Sequence, residues 1–211
     1  MPRQPIVCDH PLLQDKLARL RDRSTSPKTF RRLMTESGTI LGLEALRSMK
    51  TRKASVRTPL AIAPGRVEDE PVAVVAVLRA GLGLVPGLLR LVPHAAIGHI
   101  GLYRNEETLN PVRYYVRLPK NLRDYNVMLC DPMLATGGSA CEAISILKNS
   151  GARNISLLSV IAAKAGAARV ASHHPDVRVY TAGLDARLNE EGFIVPGLGD
   201  AGDRLFGTLE E

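Results

Sequence analysis

Hydrophobic and polar positions follow two different rhythms along the chain. In the first third, apolar residues recur at helical spacing. Leu12, Leu13, Leu17 and Leu20 follow Pro11, and Phe30, Leu33, Met34 and Leu41 follow Ser26-Pro27. Proline suits the first turn of a helix, where the N–H it lacks would have had no partner, and a preceding serine can cap the free amides. Two helices are therefore predicted, starting near Pro11 and Pro27. From Arg52 to Gly65 the periodicity is lost, and Pro59, Pro64 and Gly65 mark a connection.

At Val72 the rhythm changes. Val72 to Leu78 is an unbroken, β-branched apolar run, as expected of a strand covered on both faces. Further strands are predicted at Ala96 to Tyr103, Val127 to Asp131, Ile155 to Ala162 and Val177 to Ala182. A glycine turn at Ala80 to Gly83 leads into a helix-like stretch ending near Leu91. Ser139 to Asn149, closed by Gly151, and Lys164 to Ser172 also read as helices. Strands alternating with helices imply an α/β fold with a mostly parallel central sheet flanked by helices. Two segments escape the alternation. Tyr103 to Tyr125 is polar and long for a connection, which suits a flap or hairpin over a site. Leu184 to Glu211 is glycine-rich and irregular.

Composition narrows the class. With 211 residues, 45% of them hydrophobic, the chain can bury one core, and with no Trp and 4% aromatics that core is aliphatic. No apolar run is long enough for a membrane span, and no signal-peptide core follows Arg3. Cys8, Cys130 and Cys141 form no CxxC pair, so neither a disulfide framework nor a zinc site is expected, and a reducing cytoplasm fits. The net charge of +7 comes from residues 1–66, with 14 Lys/Arg against 5 Asp/Glu; the remainder has 14 against 16. A solvated basic face is the simplest account of that excess, with attraction of RNA or another anion as the alternative.

The chemistry concentrates at Asp131-Pro132-Met133-Leu134-Ala135-Thr136-Gly137-Gly138-Ser139. A buried strand ends in a carboxylate, and Thr-Gly-Gly-Ser opens a helix. Free amides and the positive end of the dipole at a helix start attract phosphate, and glycines let the backbone come close. Asp131 can accept from sugar hydroxyls at the sheet edge where parallel folds bind ligands. Taken alone, Thr-Gly-Gly-Ser reads equally well as a plain strand–helix turn. Other phosphate motifs fail: no Lys precedes Ser139 as in a Walker A loop, and Gly81-Leu82-Gly83-Leu84-Val85-Pro86 has Pro where a dinucleotide fingerprint needs its third Gly.

In its wording, Asp131 to Ser139 resembles the phosphoribosyl-diphosphate (PRPP) loop of the uracil-specific branch of the type I phosphoribosyltransferases. Leu78-Arg79-Ala80-Gly81-Leu82-Gly83, Tyr103-Arg104-Asn105-Glu106-Glu107-Thr108-Leu109, and Ile194-Val195-Pro196-Gly197-Leu198-Gly199-Asp200-Ala201-Gly202-Asp203-Arg204 agree with that branch, in the same order. Many members of the wider superfamily have two adjacent acids where this chain has Cys130-Asp131, and the uracil branch resembles this chain there. The resemblance implies a single domain over residues 1–211, with N-terminal helices, a flap at about 103–125 and a base-binding hood at about 184–211. It implies that Arg79 and Arg104 hold the diphosphate and that Asp131 to Ser139 hold ribose and 5-phosphate. It further implies that Ile194, Gly199, Asp200 and Ala201 contact uracil, largely through backbone groups, with Asp200 also near PRPP. Uracil offers acceptors flanking an N–H, and cytosine would set a donor against a donor, a mismatch that can cost on the order of 10⁴ in discrimination.

The implied reaction joins uracil to PRPP, giving UMP and diphosphate, with catalysis by Arg79, Arg104, Asp131 and Asp200. Mg²⁺ would arrive with PRPP and need no direct protein ligand beyond a water contact to Asp200. The resemblance also implies a homo-oligomer, a dimer or tetramer, and GTP as an activator in some relatives. Two alternatives stand beside it. One is a phosphoribosyltransferase for another base, such as a purine. The other is an RNA-binding regulator on the same fold, using the basic N-terminal third; intact Arg79, Arg104 and Asp200 favour catalysis, so nucleic acid is not the expected partner.

Overall fold

A computed structural model describes residues 4–104 and 111–208, with the side chains of Arg104 and Pro111 outside what it describes. Strand β1 (Ile6–Val7) leads into helices α1 (Pro11–Arg21) and α2 (Pro27–Leu46), then a hairpin of β2 (Thr51–Arg57) and β3 (Ile62–Glu68). Strand β4 (Val72–Leu78), a 3-10 turn (Ala80–Gly83) and α3 (Val85–Leu91) precede β5 (Ala96–Arg104) and β6 (Pro111–Arg117). Next come β7 (Asn126–Cys130), the short β8 (Met133–Leu134), α4 (Gly138–Asn149), β9 (Asn154–Ala163), α5 (Lys164–His173) and β10 (Arg178–Asp185). Strands β11 (Arg187–Leu188) and β12 (Ile194–Val195) and helix α6 (Ala201–Phe206) complete the described chain.

The main sheet runs β1-β10-β9-β7-β4-β5-β6, with β8 also on β9. All its pairings are parallel except β5 with β6. Side chains alternate across a strand, so β4 serves two cores. Val72, Val74 and Ala76 pack with Leu13, Phe30, Leu33 and Leu88, from α1, α2 and α3. Ala73, Val75 and Val77 pack on the other face with Ala143, Ile144, Leu147 and Val170, from α4 and α5. All but the last residue of β4 are buried, which is why this strand reads as unbroken apolar sequence. Both N-terminal helices begin at the expected prolines: Ser26 Oγ accepts from Thr29 N–H at 3.4 Å as the predicted cap, and His10 Nδ1, which the sequence did not point to, accepts from Leu12 N–H at 3.2 Å.

The structure corrects the reading of Arg52 to Gly65 as a connection: it forms an antiparallel hairpin. Nearly every residue in it is exposed, so no buried face imposes alternation on the sequence. Thr58 closes its tip, accepting at Oγ1 from Ala61 N–H at 2.9 Å. Part of the expected flap is a strand, β6, added antiparallel to the sheet edge; Asn105 to Asn110 lie outside the described residues. The two-residue β1 escaped sequence reading because it is too short to show a period. Among the described residues, no helix is long and apolar enough to cross a membrane.

Candidate active site

At the carboxyl end of β7 the chain is pinned to its neighbour before it turns. Asp131 N–H donates to Leu158 O at 3.1 Å, and Ser159 Oγ donates to Asp131 O at 2.6 Å. Pro132 O accepts from Val160 N–H at 2.9 Å and Ile161 N–H at 3.1 Å. With its backbone fixed to β9, Asp131 presents its carboxyl to a cleft. Burial pushes that carboxyl up to about 7, opposed by the Met133 amide, which donates to it. Cys130, one residue earlier, is fully buried in the helical core, and burial raises its thiol far above the ordinary range. Cys130 shares its core with Met128, Leu158 and Val160, where an unpaired charge would be costly.

The turn into α4 requires glycine. Gly137 has φ +80°, in the left-handed region, and caps the helix without a side chain. The first helical bond in this turn is Cys141 N–H to Gly137 O at 3.0 Å. The earlier amides have no intrahelical acceptor, and Gly138, Ser139 and Ala140 line the cleft. Thr136 Oγ1 accepts weakly from Gly138 N–H at 3.5 Å. Gly166, at the start of α5, supports the loop from behind: a Cβ there would collide with the Ala135 and Leu134 carbonyls.

Arg79 stands across the cleft, after β4. The Leu78–Arg79 peptide is cis, and Gly81 packs so closely on the Cys130 carbonyl that no side chain fits between them. The Arg79 guanidinium donates to Asp203 Oδ1 at 3.0 Å and lies 5.6 Å from the Phe206 ring centroid, both on α6.

The hood is tied down by two arginines. Arg21 holds Asp185 with two bonds of 2.7 and 2.8 Å and also donates to Gly197 O at 2.8 Å. Asp185 Oδ2 accepts from Gly197 N–H at 2.9 Å, and Arg21 first, then this amide, keep the carboxyl below its ordinary value. Gly197 has φ +58° and follows a cis Val195–Pro196 bond. Arg204 is buried over the Phe30 ring and donates to the Leu198, Leu20 and Asp22 carbonyls. These bonds place Asp200 at the start of α6, where its Oδ1 accepts from Asp203 N–H at 2.9 Å.

The resulting cleft has a volume of about 320 Å³. It brings together Arg79, Asp131, Met133, Leu134, Ala135, Thr136, Gly137, Gly138, Ser139 and Asp200. Pro132 is buried beneath it, while Ile194, Gly199 and Ala201 flank Asp200 in the hood without lining it. The Arg104 backbone closes β5, but its side chain lies outside the described part. Sequence reasoning missed Leu102, Gly192 and Gly202 on the wall and Gly166 behind it. Outside a recognisable motif, an apolar residue or a glycine carries no chemical signature and shows on the wall only once its neighbours are placed.

A model of the family described as "Uracil phosphoribosyltransferase" matches residues 7–208. The chain belongs to the uracil phosphoribosyltransferase family. A uracil phosphoribosyltransferase of Thermus thermophilus is 53% identical over 205 residues, spanning 96% of this chain and 98% of that one. One of Dictyoglomus turgidum is 52% identical over 204 residues, spanning 96% and 99%. Among solved structures, the AQ2163 protein from Aquifex aeolicus superposes with a TM-score of 0.93 at 36% identity, covering 98% of this chain and 99% of that one. The α/β fold expected for a uracil phosphoribosyltransferase is the one observed, and the likeness spans the hairpin and the hood as well as the sheet.

Proposed function

We propose that the chain transfers the 5-phosphoribosyl group of PRPP to uracil, releasing diphosphate and forming UMP. The observation that carries this reading is the cleft itself, in which the Asp131–Ser139 loop faces Arg79 on one side and Asp200 on the other. The helix-start amides suit the 5-phosphate, and Asp131 suits the ribose hydroxyls. Uracil fits against Ile194 and the Gly199–Ala201 turn, whose backbone groups match its acceptors and N–H without a charged side chain.

The bond from ribose C1 to the diphosphate oxygen breaks as the bond from uracil N1 forms, and the N1 proton departs. Asp200 is the candidate acceptor for that proton. Among the described residues, Arg79 is the positive charge on the cleft wall, and it would hold the departing diphosphate, with Arg104 as its proposed partner. Among the described residues, no group of three or more His, Cys, Asp or Glu is arranged to hold a metal. Two carboxylates, Asp131 and Asp200, do face the cleft, and that set fits a Mg²⁺ delivered on its diphosphate and waters. When bound, the ion would neutralise diphosphate charge.

A homo-oligomer accords with the exposed Val56, Leu60 and Ile62 of the hairpin. Incubation with uracil, PRPP and Mg²⁺, followed by chromatography, should yield UMP. Parallel reactions with hypoxanthine, guanine and cytosine should yield at most trace nucleotide. Preference for a purine would overturn the reading.

A further inference from the structure

The diphosphate arginine is held from the hood. Asp203 and Phe206 stand three residues apart on α6 and so share a face. Both meet Arg79, one by a charge-assisted hydrogen bond of 3.0 Å, the other by its ring face at 5.6 Å. Among the described residues, Asp203 is the only hydrogen-bonding partner of that guanidinium, and it engages a single nitrogen. The rest of the fork is left to meet another anion.

Asp203 is itself fixed twice. Thr208 Oγ1 donates to the same carboxylate oxygen at 2.7 Å, and the Asp203 amide is held by Asp200 at 2.9 Å. A surface ion pair alone adds little stability, and the Arg79 and Asp203 side chains are 55% and 32% exposed. Its effect here is geometric: an arginine with many rotamers is confined to one wall of the cleft before substrate arrives.

We propose that Asp203 and Phe206 are positioning residues that aim Arg79 at the diphosphate of PRPP. The proposal rests on the reading of Arg79 as a diphosphate-binding residue. It also makes the helix that begins at the uracil turn the support of the group that receives the leaving diphosphate.

Initial-rate kinetics of Asp203→Asn, Phe206→Leu and Arg79→Met, singly and combined, test it. Asp203→Asn keeps the size and the acceptor oxygen while removing the charge, and Phe206→Leu leaves the ion pair in place. Each should raise the KM for PRPP roughly three- to tenfold, within the range of couplings between contacting residues. The KM for uracil should change less than twofold, and Asp203→Glu should recover part of the loss. In the Arg79→Met background neither substitution should have a further effect, which a merely structural role would not produce. Additive losses in that background, a lowered KM for PRPP, or no change would overturn the proposal. If Arg79→Met itself leaves PRPP kinetics intact, the parent reading of Arg79 fails and this proposal with it. If Arg79→Met impairs them and the α6 variants do not, only this proposal fails.

Discussion

Asp131 shows how a single residue can serve the site at the expense of the fold. Its carboxyl sits among strand ends and loop backbone, so burial raises it to about 7 from 3.8. In the folded protein the neutral form is favoured, so its contribution to stability is full below about pH 4 and fades as pH rises through about 7. Asp131→Asn, permanently neutral, should therefore unfold at a higher temperature than the parent at pH 8 and at nearly the same temperature at pH 4; thermal melts at both values check this. In the proposed reaction the ionised form is the one that would accept from ribose hydroxyls. The parent's kcat/KM for PRPP should accordingly decline below about pH 7, and the Asn variant should be slow at every pH. The residue and its place at a strand end were legible in the sequence. Its titration was not, because that depends on neighbours from β9 and from the loop.

Among the elements, the loops of the site are shaped by what stands behind them. Gly166 backs the Asp131–Ser139 loop so tightly that Gly166→Ala must move Ala135 or α5. Overpacking of this kind costs about 1–3 kcal/mol, and kcat/KM should fall at least about tenfold with a smaller drop in melting temperature. The hood has a different support. Asp185, almost buried, joins Arg21 to the Gly197 turn. Asp185→Ala would leave the arginine without its carboxylate, a loss of about 3–5 kcal/mol for a buried pair, and the KM for uracil should rise more than that for PRPP. Because Arg21 holds the folded-state pKa of Asp185 below its ordinary value, this stabilisation is present above about pH 4 and is lost on further acidification. The starts of the two N-terminal helices and the bounds of the buried strands were predicted within a residue, except that β10 runs three residues past its expected end, since each has a face that must be apolar. The hairpin β2–β3 was not, since it buries neither face. Asp203 and Phe206 lay inside or beside a motif already singled out, yet their contact with Arg79 spans more than 120 residues and has no local signature.

At the scale of the whole molecule, the division of charge seen in the sequence separates the basic segment from the cleft. The basic excess of residues 1–66 lies on the N-terminal helices and the exposed hairpin, whereas the cleft draws on residues beyond Val72. The hairpin also exposes Leu60 and Ile62, at 97% and 70%, at the far end of an arm that makes no core. Leu60→Glu with Ile62→Glu should shift the protein toward the monomer in sedimentation without unfolding it; an unchanged distribution would show that the arm takes no part in assembly. The central claim is that one cleft, closed by the sheet edge on one side and the hood on the other, holds a phosphorylated sugar beside a pyrimidine. A crystal structure with UMP and diphosphate bound tests it most directly. The account predicts the 5-phosphate on the amides of Thr136 to Ser139, the ribose against Asp131, the base against the Gly199–Ala201 turn and the diphosphate beside Arg79. Nucleotide found elsewhere on the protein, or a base lying away from that turn, would contradict it.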